Sequence, residues 1–352
     1  MGPAASAPQT AQADIDSRSR LVDELRNEVD RVIAPLIDGS PEQICIIDPP
    51  GYPNVGDSAI FLGQIDFIKR KYPRARISFA DGDCYSEGLD RFIEKSSLII
   101  INGGGNFGDL WMHHQNMRNR VLERFRNVPV IQMPQSIFFK SDDEMKKTAA
   151  LIGNHPNFVL LVRDQNSLQY ATRNFDCEIH LCPDMAFAMN PIRRKPPSMD
   201  YYCLLRTDKE IATDHDKIRA ALAGVQADFE IGDWLGEFNS RTYRADRFAT
   251  RLTRKKPGLT APARELMAGL RRRFAEERLA YGIDLLSRGK MVITDRLHAH
   301  ILSTLLGIPH LIFDSFDGKI SAFHDCWTKG RSPGTLLASP AELAEHIRGR
   351  TA

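Results

Sequence analysis

No stretch of this 352-residue chain holds the roughly 18 consecutive apolar residues of a membrane-spanning helix, and its N-terminus lacks the charged-then-apolar layout of a secretory leader. A formal net charge of +2 leaves no strong basic excess, so a nucleic-acid partner is not expected. The six cysteines, Cys45, Cys84, Cys177, Cys182, Cys203 and Cys326, lack paired loop spacings, and several fall inside apolar runs. They read as reduced thiols, which places the protein in the cytoplasm. Neither Cys-x-x-Cys nor His-Glu-x-x-His occurs, so no metal is expected, and the phosphate-binding G-x-x-x-x-G-K-[ST] pattern is missing as well.

What the chain does have is apolar residues in quantity, 42% of the total, and a length that favours two domains over one. Residues 1–18, rich in Ala, Ser, Pro and Gln, offer nothing to bury and read as a disordered tail. From Leu21 onward apolar runs alternate with helical patterns: "ICIID" (44–48), "ARISFA" (75–80), "SLIII" (97–101), "VPVIQM" (128–133), "FVLLV" (158–162) and "IHLC" (179–182). Continuous apolar strands separated by helices indicate a parallel sheet covered on both faces. A proline-rich basic segment, "NPIRRKPPSMD" (190–200), reads as a linker to a second series: "YYCLLR" (201–206), "ADFEI" (227–231), "MVITD" (291–295) and "HLIFD" (310–314). The expected fold class is therefore α/β, with two doubly wound Rossmann-like domains over residues 19–190 and 191–330, followed by a C-terminal helix over 331–352.

In open α/β sheets ligands bind beyond the carboxyl ends of the strands. Those positions are rich here. Asn54, Gly56 and Asp57 follow the first strand; Gly103, Gly104, Gly105, Asn106 and Asp109 follow the third. Glycine lets backbone N–H groups approach an anion or a sugar closely, so these segments are candidate acceptor or anion loops, although a triple glycine is also a common tight turn. Arg163 and Arg206 close two other strands. An ion pair with Asp164 or a neighbouring acid would explain Arg163 structurally, whereas a guanidinium facing a ligand binds carboxylate or phosphate in two places.

The last such joint is "ITDRLHAHILSTLLGIPHLIFD", in which Asp295, Arg296, Leu297, His298 and His300 occupy the passage from strand to helix. Ile301, Leu302, Leu305 and Leu306 set the helical period, and Gly307 with Pro309 stops it. Unpartnered N–H groups and aligned peptide dipoles make the first turn of such a helix a seat for phosphate or carboxylate. His298 and His300, two residues apart on a helix, diverge by about 200°, which disfavours a shared metal. An imidazole at His298 can instead supply a proton near neutral pH. Residues 241–278 carry twelve Lys and Arg against four acids. Such a stretch is a solvated helix face or a surface that meets anionic lipid headgroups or a pyrophosphate-linked acceptor; peripheral contact with the inner face of the cell membrane is the expectation it raises.

The segments "NVGDSAIFLG", "INGGGNFGDLW", "QMPQSIFF", "VRDQNSL", "CPDMAF" and "ITDRLHAHILSTLLGIPHLIFD" together resemble the polysaccharide pyruvyl transferase family. The resemblance implies that the two domains face a central cleft, as in GT-B glycosyltransferases. It implies transfer of the enolpyruvyl-derived group of phosphoenolpyruvate to two hydroxyls of a sugar or lipid-linked oligosaccharide, giving a pyruvate ketal, with no cofactor beyond that donor. By the same likeness Arg163, Arg206 and Arg296, with Leu297, match donor-gripping positions, and His298 matches the general acid; no base is assigned. Rival readings are a sugar-nucleotide glycosyltransferase or epimerase, and a noncatalytic sugar-binding assembly protein.

Overall fold

The structure, a computed structural model, describes residues 7–80, 90, 92–207, 213–224, 227–235, 240–255 and 261–351, with backbone alone for 7–19, 252–255, 261–265 and 348–351. Cys84 and the centre of the "RKKPGLTAP" turn, residues 256–260, lie outside the described residues. The chain is α/β with two parallel sheets, each in its own compact unit. The larger unit comprises residues 28–190 and 235–281; the smaller comprises 1–27, 191–234 and 282–352. The first helix, α1, spans Ala7–Ile33 and so includes residues from the segment that composition marks as a tail.

The larger sheet is built from β1 (Gln43–Ile47), β2 (Arg76–Ala80), β3 (Leu98–Ile101), β4 (Gly104–Gly108), β5 (Val130–Phe138), β6 (Phe158–Val162) and β7 (Glu178–Leu181). Its order is β2-β1-β3-β5-β6-β7, with β4 paired to the outer part of β5. The helices between these strands are α2 (Val55–Lys71), α3 (Met112–Arg124), α4 (Asp142–Gly153) and α5 (Gln165–Asn174). Strands such as β3 and β6 carry no polar residue because both their faces are covered. One core cluster joins Ile99, Ile101, Val130, Leu160 and Val162 to Val121 and Leu122 of α3 and to Phe125 just after it. α2 is buried almost to its end, and a Cβ on Gly63 would sit 1.9 Å from the Met185 carbonyl oxygen, so this helix packs backbone to backbone against the turn Met185–Ala188.

The smaller sheet contains β8 (Met199–Leu204), β9 (Phe229–Gly232), β10 (Gly289–Thr294), β11 (His310–Ile312) and β12 (Gly334–Leu336), in the order β12-β11-β10-β8-β9. Around it lie α6 (His215–Ala223), α9 (Leu297–Leu306), α10 (Lys319–Trp327) and α11 (Pro340–Thr351). Two further helices, α7 (Arg241–Lys255) and α8 (Ala261–Arg288), precede β10. Its core joins Cys203, Ile293, Leu311 and Phe313 to Ile218 and Leu222 of α6. Gly307, at φ +65°, caps α9 in the left-handed conformation that glycine adopts without penalty.

Numbered within each unit and leaving aside β4, the strand orders begin 2-1-3-4-5 in both. This is the flavodoxin-like doubly wound pattern, whose ligand crevice opens where the winding reverses. The reversal falls between β1 and β3 in the larger unit and between β8 and β10 in the smaller. The residues just after those four strands are therefore the ones to inspect.

Candidate functional site

In the larger unit the reversal point lies beyond β1 and β3. Asp48, the residue directly after β1, has φ +61°, the one non-glycine positive φ among the described residues. Left-handed backbone at a non-glycine residue costs about 1 kcal/mol or more and tends to gather where function holds it in place. The strain turns the Asp48 carboxylate onto His114 of α3, whose Nδ1–H donates to Oδ2 at 2.5 Å. Burial by itself would depress the His114 imidazolium, but the hydrogen bond and charge of Asp48, with Asp57 beyond it, outweigh burial and raise its pKa above the ordinary value. Tyr52 packs against the imidazole, 5.7 Å between centroids, and its hydroxyl donates to Asp57 at 2.9 Å.

Several predicted residues meet in this unit. Asp57 lies in the first turn of α2, and its Oδ1 would be 3.4 Å from a Cβ on Gly104; Nη2 of Arg163 would be 3.1 Å from one on Gly105. The "NVGD" and "GGG" segments and Arg163 thus come together at the strand ends. Arg163 itself is buried: Nη1 donates to Asp184 at 2.7 Å, Nε to Ser136 at 2.9 Å, and Ser136 donates to Asp164 at 2.6 Å. The structural ion pair weighed for Arg163 is present, with Asp184 rather than Asp164 as the acid. Asp164 caps α5 through the Ser167 N–H.

Other predicted residues are held in structural bonds. Asn54 caps α2 by accepting from the Gly56 N–H at 2.9 Å. Asp109 accepts from the backbone N–H groups of Lys140 and Ser141 and ties down the exit from β5. Gly103, Gly105 and Gly108 have G-x-G-x-x-G spacing, yet Gly104–Gly108 is a strand, not the entry to a helix. A Cβ on Gly108, at φ +129°, would stand 1.7 Å from the Phe138 carbonyl oxygen, so glycine there permits the close approach of β4 to β5. Asn106 belongs to a buried amide network: its Oδ1 accepts from Arg118 and from Gln135, both at 3.0 Å. Arg118 also donates to Gln132 and Gln115 and stands 4.3 Å from the Phe107 ring centroid. Encased by neutral partners, its guanidinium is pulled down to about 9 by burial.

In the smaller unit Arg206 lies two residues past β8 and Asp295 directly follows β10, and the two are joined: the Arg206 N–H donates to Asp295 Oδ1 at 2.8 Å. Arg296 is the N-cap of α9, leaving Leu297 and His298 as its first two residues. The Arg296 guanidinium donates to Asp233 at 2.5 Å and lies 5.9 Å from the centroid of buried Trp234. Asp233 also accepts from the Thr207 N–H at 3.0 Å and from its hydroxyl at 2.8 Å. Behind them, Asp295 Oδ2 faces His215 Nε2 at 3.8 Å. Burial raises the Asp295 pKa, against the opposing pull of the Arg206 N–H and of Arg296 and His215. The smaller unit therefore places Arg206 just past β8 and Arg296, Leu297 and His298 just past the neighbouring strand β10, with the Arg206 N–H tied to Asp295.

His300, weighed against a metal role, belongs to a different structure. His310 Nδ1–H donates to the Ile308 carbonyl at 2.7 Å, so its Nε2 accepts from His300 Nδ1–H at 2.6 Å. His300 Nε2 then accepts from the Thr328 hydroxyl at 2.8 Å, whose oxygen accepts from His324 Nδ1–H at 2.9 Å. The chain fixes α9 to β11 and α10.

Sequence reasoning missed the Asp48–His114 pair, Asp233 and Trp234. The strand-end rule would have found Asp48 and Asp233, each directly after an apolar strand. His114 gave no such signal, because its partner lies 66 positions away.

Residues 54–317 match the family described as polysaccharide pyruvyl transferase. The chain is 29% identical over 304 residues to Pyruvyl transferase 1 of Schizosaccharomyces pombe, covering 82% of this chain and 70% of that protein. It is 31% identical over 318 residues to EpsO of Bacillus subtilis, provisionally named a pyruvyl transferase, covering 89% and 94%. Among solved structures, an uncharacterized protein of Klebsiella pneumoniae matches with a TM-score of 0.58 at 20% identity, over 90% of this chain and 99% of that one, a likeness of fold.

Proposed function

The chain belongs to the polysaccharide pyruvyl transferase family and is a transferase, and from that premise we propose that it moves the enolpyruvyl-derived group of phosphoenolpyruvate onto two hydroxyls of a sugar or lipid-linked oligosaccharide. The observation that supports the reading is the position of Arg206 just past β8 and of Arg296 and His298 at the helix start just past the neighbouring strand β10. A three-carbon donor bearing both carboxylate and phosphate needs several planar donors and a helix start, and Arg206, Arg296 and Leu297 of the smaller unit are the positions assigned to grip it, while Arg163 is matched to the donor by family likeness alone. His298 gives a proton to the methylene carbon, and a sugar hydroxyl adds to the resulting cationic C2. That hydroxyl must lose its proton as the C–O bond forms. The proton leaves to solvent water. The second hydroxyl then displaces phosphate, its proton leaving with the phosphate, and closes the ketal. No metal or redox cofactor takes part in this scheme.

The test is incubation with phosphoenolpyruvate and a panel of saccharide acceptors, following phosphate release and mass gain on the sugar. His298→Ala should lower phosphate release at least a hundredfold, while undiminished release in that variant removes the assigned acid. Thermal stabilisation by uridine-diphosphate sugars and not by phosphoenolpyruvate would replace this reading with a glycosyltransferase one.

A further inference from the structure

The basic stretch divides in two. Part of it builds the protein. Arg271 donates to Asp246 at 3.0 Å and to the Pro49 carbonyl at 3.0 Å; Arg278 donates to the Pro53 carbonyl at 2.7 Å. Arg272 and Arg273 pair with Glu276 and Glu277 on the same helix. Arg271 and Arg278 brace α8 against α7 and the segment that follows β1, while Arg272 and Arg273 are paired along α8 itself. They are spoken for.

The remainder of α7 presents a different surface. Thr242, Asp246 and Thr250 are buried, and Tyr243 stacks on Phe274 at 4.9 Å, so one side of α7 is committed to α8. On the opposite side Phe248 is 69% exposed, the most exposed large apolar residue among those described. Arg241, Arg244 and Arg251 fall within about 60° of it on the helical wheel at 100° per residue. All three are exposed and have no ion-pair or hydrogen-bond partner for their side chains among the described residues. The one acid of α7, Asp246, is buried and faces Arg271, so nothing on this helix neutralises them. The antiparallel pairing that sets Asp246 against Arg271 brings Leu266 of α8, 63% exposed, level with Arg251.

We infer that this face of α7 docks the protein on a bilayer of anionic lipid, with the arginines on headgroup phosphates and Phe248 inserted at the acyl boundary. The charge attracts the surface, and the ring supplies burial that a soluble anion does not offer. An aromatic left in water at the centre of a cationic face is what distinguishes this surface from an ordinary solvated helix. The inference rests on the helix surface and not on the proposed chemistry.

The full chain is sedimented with phosphatidylglycerol-rich vesicles, with pure phosphatidylcholine vesicles and, in a third arm, mixed with a single-stranded oligonucleotide. Binding to the anionic vesicles alone is expected, weakening steeply as salt rises. Each arginine should be worth about fivefold, so R241E/R244E/R251E should lower vesicle affinity on the order of a hundredfold or more. Phe248→Ser should lower it about tenfold. All these positions are exposed, so circular dichroism and the urea midpoint should stay unchanged. Equal binding to neutral vesicles, no binding to anionic ones, vesicle affinity unaltered in Phe248→Ser, or tighter binding to the oligonucleotide would each overturn the inference.

Discussion

Acidification should loosen the smaller unit through the chain that links His310, His300, Thr328 and His324. In that chain every imidazole nitrogen facing a neighbour is already committed as donor or acceptor, so an added proton has no acceptor to meet. Burial is the largest cause, and it holds the His310 pKa down at about 4; His300 and His324 are depressed in the same direction for the same first reason. The folded state thus binds the proton more weakly than the unfolded chain, whose imidazoles titrate near the ordinary 6.5. The associated stability is intact above about pH 6.5 and is lost as pH falls from there toward 4. For His310 alone, linkage gives a loss of about 2 kcal/mol between about pH 7.5 and about pH 5, and a slope of about 1 kcal/mol per pH unit at its steepest. His114 works in the opposite sense, since its folded pKa is raised and its contribution is present below pH 6.5 and lost as pH rises.

The perturbation that isolates the effect is His310→Gln, which retains hydrogen-bonding capacity but does not titrate. Urea unfolding would be followed by tryptophan fluorescence in a Trp111→Phe background, where the remaining Trp234 and Trp327 both report the smaller unit. The parent should lose stability on acidification by at least the His310 amount, and the variant's slope should be shallower by about 1 kcal/mol per pH unit. Identical slopes in the two proteins would refute the buried neutral chain.

Two further outcomes are expected. Gly108→Ala must seat a methyl against the Phe138 carbonyl at a φ that disfavours any side chain, so it should cost about 3 kcal/mol or more, measured as a urea midpoint, while Gly269→Ala, where a Cβ meets nothing within 4 Å, should be neutral or stabilising. Asp48→Asn keeps the shape of the side chain and tolerates the left-handed backbone but removes the charge, so the His114 titration followed by ring NMR should move to lower pH; a titration unmoved by the change would show that Asp48 does not govern that imidazole.

The sequence carried the alternation of strand and helix well. Strands β3, β5, β6 and β10 lie where their apolar runs lie, because a strand covered on both faces admits few polar residues. β4 and β12 escaped notice for the converse reason. "GGNFG" and "GTL" have too few side chains to show a period, and β4 exists because Gly108 lets two backbones approach. Within the candidate site, strand-end arginines and the Arg-Leu-His turn were visible as polar residues in costly places. Their partners were not visible: Asp184 stands 21 positions from Arg163, and Asp233 stands 63 from Arg296.

What the chain's linear order determined by itself was composition, period and the residue types available at each strand end, which sufficed for an α/β fold and for the family. Only the tertiary structure decided which strand ends adjoin. Strand order is set by long-range packing and winding, so nothing local announced that β1 would lie beside β3, or β8 beside β10, where the winding reverses. The same holds for protonation. His114 and His310 are the same residue type with opposite shifts, because one meets a carboxylate and the other meets only neutral rings and a carbonyl.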